Sequence, residues 1–249
     1  MQARLYLTKS AGSTSVENGG VTTLTAYFES REERDAAARA FREFEVRVED
    51  RPRVDWLERY EQSLEALRIG RRFVVAPDRA LIPKDTGRIA IVVPQEQAFG
   101  TGSHETTTLC LEMLERIDLR GKRGLDIGSG SGILAIAMEK LGAETVVAFD
   151  NDPDAYGPLR DNCIRNGAQV GIFIGGVEAL RKGVFDVVTM NIIPEVILPL
   201  LPQVKRHVRG HLILSGILAV RRDEVVAAAG KLEAESVRGE WWAGMFTFA

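Results

Sequence analysis

Apolar positions in this chain change their period from segment to segment, and the changes mark out its elements. Gly124-Leu125-Asp126-Ile127 is a short apolar stretch that stops at Gly128-Ser129-Gly130-Ser131-Gly132; Ile133, Leu134, Ile136, Ala137 and Leu141 then recur at helical spacing. A buried strand, a glycine turn and a helix are predicted. Glu144 to Asp150 reads as a second strand, and Val170 to Ile174 and Val184 to Met190 as further buried parallel strands, the last delivering Asn191 to the carboxyl edge of the sheet. The aromatic tail from Glu240 to Phe248 is expected to supply a final antiparallel strand. Strands that alternate with helical patterns in this way predict an α/β domain.

The first part of the chain follows a different pattern. Residues 2 to 8 alternate as a strand does, Gly12 to Gly20 reads as a Ser/Gly/Asn loop, and Val21 to Phe28 as a second strand. Ser30 should cap a helix through about Phe44, with Glu33 completing a capping box, and Glu45 to Glu49 alternates again around Val46 and Val48. This predicts a β-β-α-β module over residues 1–54. It holds no catalytic constellation, so its expected work is recognition, with a structural cap as the alternative. From Asp55 a helix is expected to carry Trp56, Leu57, Tyr60, Leu64 and Leu67 on one side and to end at Gly70. Phe73 to Pro77 and Arg88 to Pro94 are proline-bounded strand pieces, expected to pair the small module with the larger domain. The predicted division is therefore a module over 1–54, a linker with connecting strands over 55–94, and a catalytic domain over 95–249.

Composition narrows the class. At 249 residues and 45% hydrophobic, the chain can bury one large core and a small one. It carries no apolar run of membrane-spanning length and no apolar signal segment after Met1, so a cytoplasmic protein is expected. Cys110 and Cys163 both fall in helical patterns, which predicts core thiols and neither a disulfide framework nor a metal site. A net charge of −3 gives no general footprint for nucleic acid and favours a protein or small-molecule substrate.

The glycine turn carries the first chemical signal. A strand that ends in closely spaced glycines and turns into a helix lets the backbone approach a ligand. The dinucleotide fingerprint needs its third glycine one place later, where Ile133 stands. Gly128-x-Gly130-x-Gly132, with Asp126 two places before, reads instead as the S-adenosylmethionine loop of a class I methyltransferase. Asp150 ends the next strand roughly 20 residues on, the distance at which a neighbouring strand delivers a carboxylate to a ribose. Asp152 and Pro153 are placed to start the following helix. Glu178, shortly after Gly175-Gly176-Val177, is the candidate adenine contact. Ala98 to Thr107 is a polar turn leading into a helix from about Glu105 to Ile117, capped by Ser103 or His104. His207 and His211 bracket a predicted helix end and are expected to be structural, which leaves His104 as the site-like histidine.

Several blocks together resemble one family. Phe99-Gly-Thr-Gly-Ser-His-Glu-Thr-Thr107, Leu125 to Ala137, Asp150-Asn-Asp-Pro153, Asn191-Ile192 and Leu214-Ser-Gly-Ile-Leu218 look like the bacterial methyltransferases that modify large-subunit ribosomal protein eleven. They stand in that family's order across about residues 55 to 249. This chain has Ser129 where the family commonly has Cys, and Glu105 where it has Pro. The resemblance implies a Rossmann-like, seven-stranded class I methyltransferase domain behind a small N-terminal α+β domain. It also implies that Thr107, Gly128, Asp150 and Asn191 match cofactor-contacting positions. With it in view, Phe99, Gly100, Thr101 and Asn151 join Asp126, Gly130, Gly132 and Glu178 as candidate contacts to S-adenosylmethionine.

Asn191 and His104 are then the candidate catalytic residues, Asn191 orienting the substrate amine and Thr107 expected on the opposite side of the transferring methyl group. The expected activity is methylation of lysine ε-amines and/or an N-terminal α-amine, most simply of a large-subunit ribosomal protein, by a monomeric enzyme. Methylation of ribosomal RNA or of another protein lysine are the alternatives within enzymes. A cofactor-binding assembly factor without catalysis is the alternative outside them.

Overall fold

The computed structural model describes residues 12–18, 21–28, 30–44, 46–48, 65–94, 104–180 and 183–248. The chain divides into two compact units, Met1–Tyr60 and Glu61–Ala249.

In the first unit β1 (Gly12–Asn18) pairs antiparallel with β2 (Val21–Tyr27), Asn18 facing Val21. The expected loop over 12 to 20 is thus mostly a strand: a Gly/Ser-rich segment that is weak by propensity extends when a β-branched partner offers a ladder. Helix α1 (Arg31–Ala40) starts as predicted. Glu33 N donates to Ser30 Oγ at 3.2 Å, while Ser30 Oγ donates to Glu33 Oε2 at 3.1 Å. It ends at Phe41 rather than Phe44. Val46 and Val48 are exposed and belong to no strand, so their alternation finds no ladder among the described residues. The strand predicted over 2 to 8 lies outside the described residues.

Most of the helix predicted from Asp55 lies outside them too, but its end is corrected. β3 (Leu67–Ile69) pairs antiparallel with β4 (Phe73–Ala76), with Gly70 at φ 52 between them. Glu115 fixes that turn by accepting from the Arg71 and Arg72 amides at 2.9 Å. β4 in turn pairs parallel with β5 (Ile89–Val92). Among the described residues these three strands pair with one another and bury Phe73, Val75 and Ile91 in the core of the second unit.

The second unit is built on a seven-stranded sheet. Its strands are β6 (Arg123–Ile127), β7 (Thr145–Asp150), β8 (Val170–Ile174), β9 (Phe185–Asn191), β10 (Val208–Leu218), β11 (Leu232–Arg238) and β12 (Trp241–Thr247), in the order β8-β7-β6-β9-β10-β12-β11. The first five in that order are parallel, and β12, the tail strand, runs antiparallel to both β10 and β11, as expected. Helices α2 (Glu105–Leu114) and α3 (Ile133–Lys140), together with Leu159 and Cys163 of α4 (Tyr156–Asn166), pack one face. α5 (Pro194–Val204) and α6 (Arg222–Ala229) pack the other. The unbroken apolar character of the central strands follows from this cover on both faces.

Cys110 and Cys163 are free and buried, their thiols pushed up by burial to about 12 and about 11. His207 closes a 3₁₀ turn and its Nδ1 lies 3.0 Å from Gly183 O. His211, expected near a helix end, instead stands in β10, 3.1 Å from Glu233. Among the described residues no helix is long and apolar enough to cross a membrane, and no cluster of potential metal ligands occurs.

Candidate active site

The sheet reverses direction of growth at β6: β7 and β8 lie to one side, β9 and β10 to the other. In open α/β sheets ligands sit at the carboxyl edge of such a switch point. The glycine turn, Asp150 and Asn191 all end strands at that edge.

Gly128, Gly130 and Gly132 have φ of 68°, 48° and 79°, a region that side chains rarely adopt. A side chain would also displace its neighbours, since a Cβ at Gly128 would lie 2.6 Å from a methyl of Ile192 and one at Gly132 would run into a methyl of Leu159. The turn is bound to β7, with the Gly128 and Ser129 amides donating to Phe149 O at 3.0 and 3.1 Å. Asp150, half-buried, accepts from Gly130 N at 2.9 Å and from Asp152 N at 3.1 Å. Asp152 caps the next turn by accepting from Asp154 N, with Pro153 following as predicted. Asn151 is exposed beside it.

Asp126 is buried under the turn and receives Thr189 Oγ1 at 2.6 Å, with the Ala135 amide nearby but not closing a second well-formed bond. Burial pushes its carboxyl up to about 7; the Thr189 and Ala135 donors oppose the rise and the charge of Asp150 adds to it. The Gly175 amide donates to Asp150 O at 2.9 Å, so Gly175-Gly176 adjoins the same residue. Glu178, in the 3₁₀ turn Val177–Ala179, is exposed with its carboxylate over Gly176.

Asn191 is the last residue of β9, and its Nδ2 donates to Thr107 Oγ1 at 3.3 Å. Thr107 is fully buried in the first turn of α2. The two side chains are therefore neighbours, not placed on opposite sides of a reacting group, because β9 and the start of α2 converge. Asn191 Oδ1 is buried and has no partner among the described residues. His104 is the N-cap of α2: its Nδ1 accepts from Thr106 N at 3.3 Å, and its ring meets Trp241 edge-on at 5.0 Å. Phe99, Gly100 and Thr101 lie outside the described residues. Sequence reasoning missed Thr189 and Ser215, whose Oγ donates to Thr106 O at 3.2 Å and ties β10 to α2. A hydroxyl inside an otherwise apolar strand was the available signal.

This sheet order, with a glycine turn after the first strand and an acid ending the second, defines a class I S-adenosylmethionine-dependent methyltransferase. The donor set fits that cofactor: a carboxylate ending the second strand beside the glycine turn, three left-handed glycines, and an Asn191 oxygen with no partner among the described residues. The chain belongs to the ribosomal protein L11 methyltransferase (PrmA) family, whose family model matches residues 5–247. It is 34% identical to ribosomal protein L11 methyltransferase of Myxococcus xanthus over 236 residues, 90% of this chain and 81% of that one. With that of Geobacter sulfurreducens it shares 42% over 193 residues, 75% and 64% of the two chains. With that of Symbiobacterium thermophilum it shares 38% over 176 residues, 70% and 58%. The matched stretch thus spans less than two thirds of the last two relatives. The crystal structure of ribosomal protein L11 methylase from Lactobacillus delbrueckii subsp. bulgaricus superposes with a TM-score of 0.67 at 27% identity, over 73% of this chain and 97% of that one.

Proposed function

We propose that the chain methylates amino groups of a protein, lysine ε-amines and/or an N-terminal α-amine, and that its substrate is ribosomal protein L11. The observation that carries this is Asn191 Oδ1, a buried acceptor at the carboxyl edge of β9 with no partner among the described residues. Burying such an atom costs about 1–3 kcal/mol unless something donates to it, and an incoming amine does.

S-adenosylmethionine, when bound, supplies a methyl group on a sulfonium centre. Asp150 would hold its ribose, the Gly175-Gly176 backbone and Glu178 its adenine, and the Gly128–Gly132 turn with Asp126 the remainder. Phe99, Gly100, Thr101 and Asn151 complete the assignment, carried by the family motif. A lysine has a pKa near 10.4, so holding it neutral at pH 7 costs about 4.6 kcal/mol at 1.36 kcal/mol per unit. Partial burial lowers that cost, and Asn191 accepts an amine N–H and fixes the direction of the lone pair. His104, whose Nδ1 caps α2, is the next residue to carry the reaction should Asn191 hold only the cofactor.

In this reading residues 1–54 choose the substrate, 55–94 connect, and 95–249 catalyse; Asp126, Asp150, Thr107 and Asn191 all fall in the unit Glu61–Ala249, which supports it. A ribosomal substrate places the enzyme in the cytoplasm, where we take it to act as a monomer. The test is transfer of labelled methyl groups into ribosomes from cells that lack the enzyme. Label in the L11 band is expected. Label in RNA alone, or in neither, would refute the proposal.

A further inference from the structure

Helix α4 carries two asparagines one turn apart, Asn162 and Asn166, only 4% and 5% exposed. Neither belongs to the sites described above. A buried amide is costly unless all its groups are paired, so where these two point has consequences.

Asn162 points at the glycine turn. Its Nδ2 donates to Ser131 O at 3.0 Å, and Arg165 Nη1 donates to its Oδ1 at 2.7 Å, which fixes the amide with nitrogen, not oxygen, toward the turn. The Ser131–Gly132 peptide is thereby held from its carbonyl side, while its N–H closes the turn onto Ser129 O at 2.7 Å. Leu159, one turn earlier in α4, fills the space over Gly132 that a Cβ would need. Asn166 points the other way. It reads both main-chain groups of one residue at the end of β5, accepting from Val92 N at 2.8 Å and donating to Val92 O at 2.7 Å. Its Nδ2 also donates to Asn162 O at 2.9 Å. Among the described residues β5 is an edge of the three-stranded sheet, and Asn166 pairs there with Val92 as one residue of a neighbouring strand would.

We propose that Asn162 and Asn166 are positioning residues for the cofactor loop, forming a relay from Val92 of β5 through α4 to Ser131. The small sheet β3-β4-β5 then does more than cover the core: through this relay it sets the shape in which the glycine turn waits for its ligand. Asp150 holds the middle of the turn through Gly130 N and Asn162 holds its end, so the turn is preorganised before the ribose engages Asp150. The proposal rests on the identification of that turn as the cofactor cradle.

The test is calorimetric titration of the full-length protein with S-adenosylhomocysteine, alongside thermal unfolding without ligand. Asn162→Asp keeps the size and the Arg165 contact but turns a carboxylate oxygen toward Ser131 O; it should weaken binding about tenfold or more. Asn166→Asp should weaken binding less, about threefold, because it acts through Asn162. Arg165→Met removes only the exposed-side lock on the amide, leaves the core intact, and should weaken binding by a similar small factor, which keeps the proposal testable if Asn162→Asp fails to fold. Folded variants that melt earlier yet bind as the parent does would show a merely structural pair and overturn the proposal. A parent protein that does not bind the probe overturns the cradle identification instead.

Discussion

Replacing Asp150 by asparagine separates the two roles that its carboxylate plays. In the protein its oxygens accept from Gly130 N at 2.9 Å and Asp152 N at 3.1 Å, and the ribose hydroxyls would be added to these. The amide that replaces the carboxylate has the same shape and one acceptor oxygen, so it can keep one of the two backbone donors. The helix that follows keeps its own cap, because Asp152 accepts from Asp154 N independently. What is lost is charge. Hydrogen bonds to a charged group are worth about 1.5–3 kcal/mol, so Asp150→Asn should weaken the methyl donor and its demethylated product by roughly ten- to hundredfold. The unfolding temperature without ligand should change by much less. A second consequence follows from Asp126, whose carboxyl is held up partly by the Asp150 charge; the substitution should lower it from about 7. Titration calorimetry at fixed pH measures the first effect. An unchanged dissociation constant together with a clear loss of thermal stability would refute the ribose assignment and leave Asp150 as a brace for the turn.

Asn191→Ala should lower the single-turnover methylation rate at saturating cofactor by about tenfold or more while changing cofactor affinity little, since an interaction made mainly in the transition state appears in the rate; full recovery of rate at saturation would assign Asn191 to cofactor binding alone. Thr107→Val removes the acceptor that orients the Asn191 amide and should lower the same rate by a smaller factor, whereas an unchanged rate would mean the 3.3 Å contact orients nothing. Asp126, with its folded pKa raised from about 3.8 to about 7, contributes stability that is full below about pH 4 and is lost as pH rises toward 7; Asp126→Asn should flatten that stretch of the melting-temperature profile, and a profile identical to the parent's would contradict the raised value. A chain starting near Asp55 should retain cofactor binding but lose protein methylation, and methylation at the parent rate would make residues 1–54 a cap.

What the sequence determined by itself was whatever neighbours along the chain decide. The Ser30 cap, the glycine turn with its helix, Asp152-Pro153 and the strands ending at Asp150 and Asn191 were all legible. Each rests on spacings of two or 3.6 residues, or on a backbone conformation that only glycine adopts freely. Local patterns misled where pairing overrode them. Gly12–Asn18 became a strand because β2 lies beside it, Leu67–Gly70 became a hairpin, and Val46–Val48 remained unpaired among the described residues. Motif spacing brought Asp126 and Asp150 forward as candidates, and the end of a predicted strand brought Asn191, but their chemical condition needed the fold. The strand order seats Thr189 against Asp126 and buries both, and it converges β9 with α2 so that Asn191 meets a threonine far away in sequence. The reach of α4's asparagines to Ser131 and Val92 was equally hidden, since in a helical pattern an asparagine reads as a solvated position. Only packing between two layers shows that it is buried and what it must therefore bond.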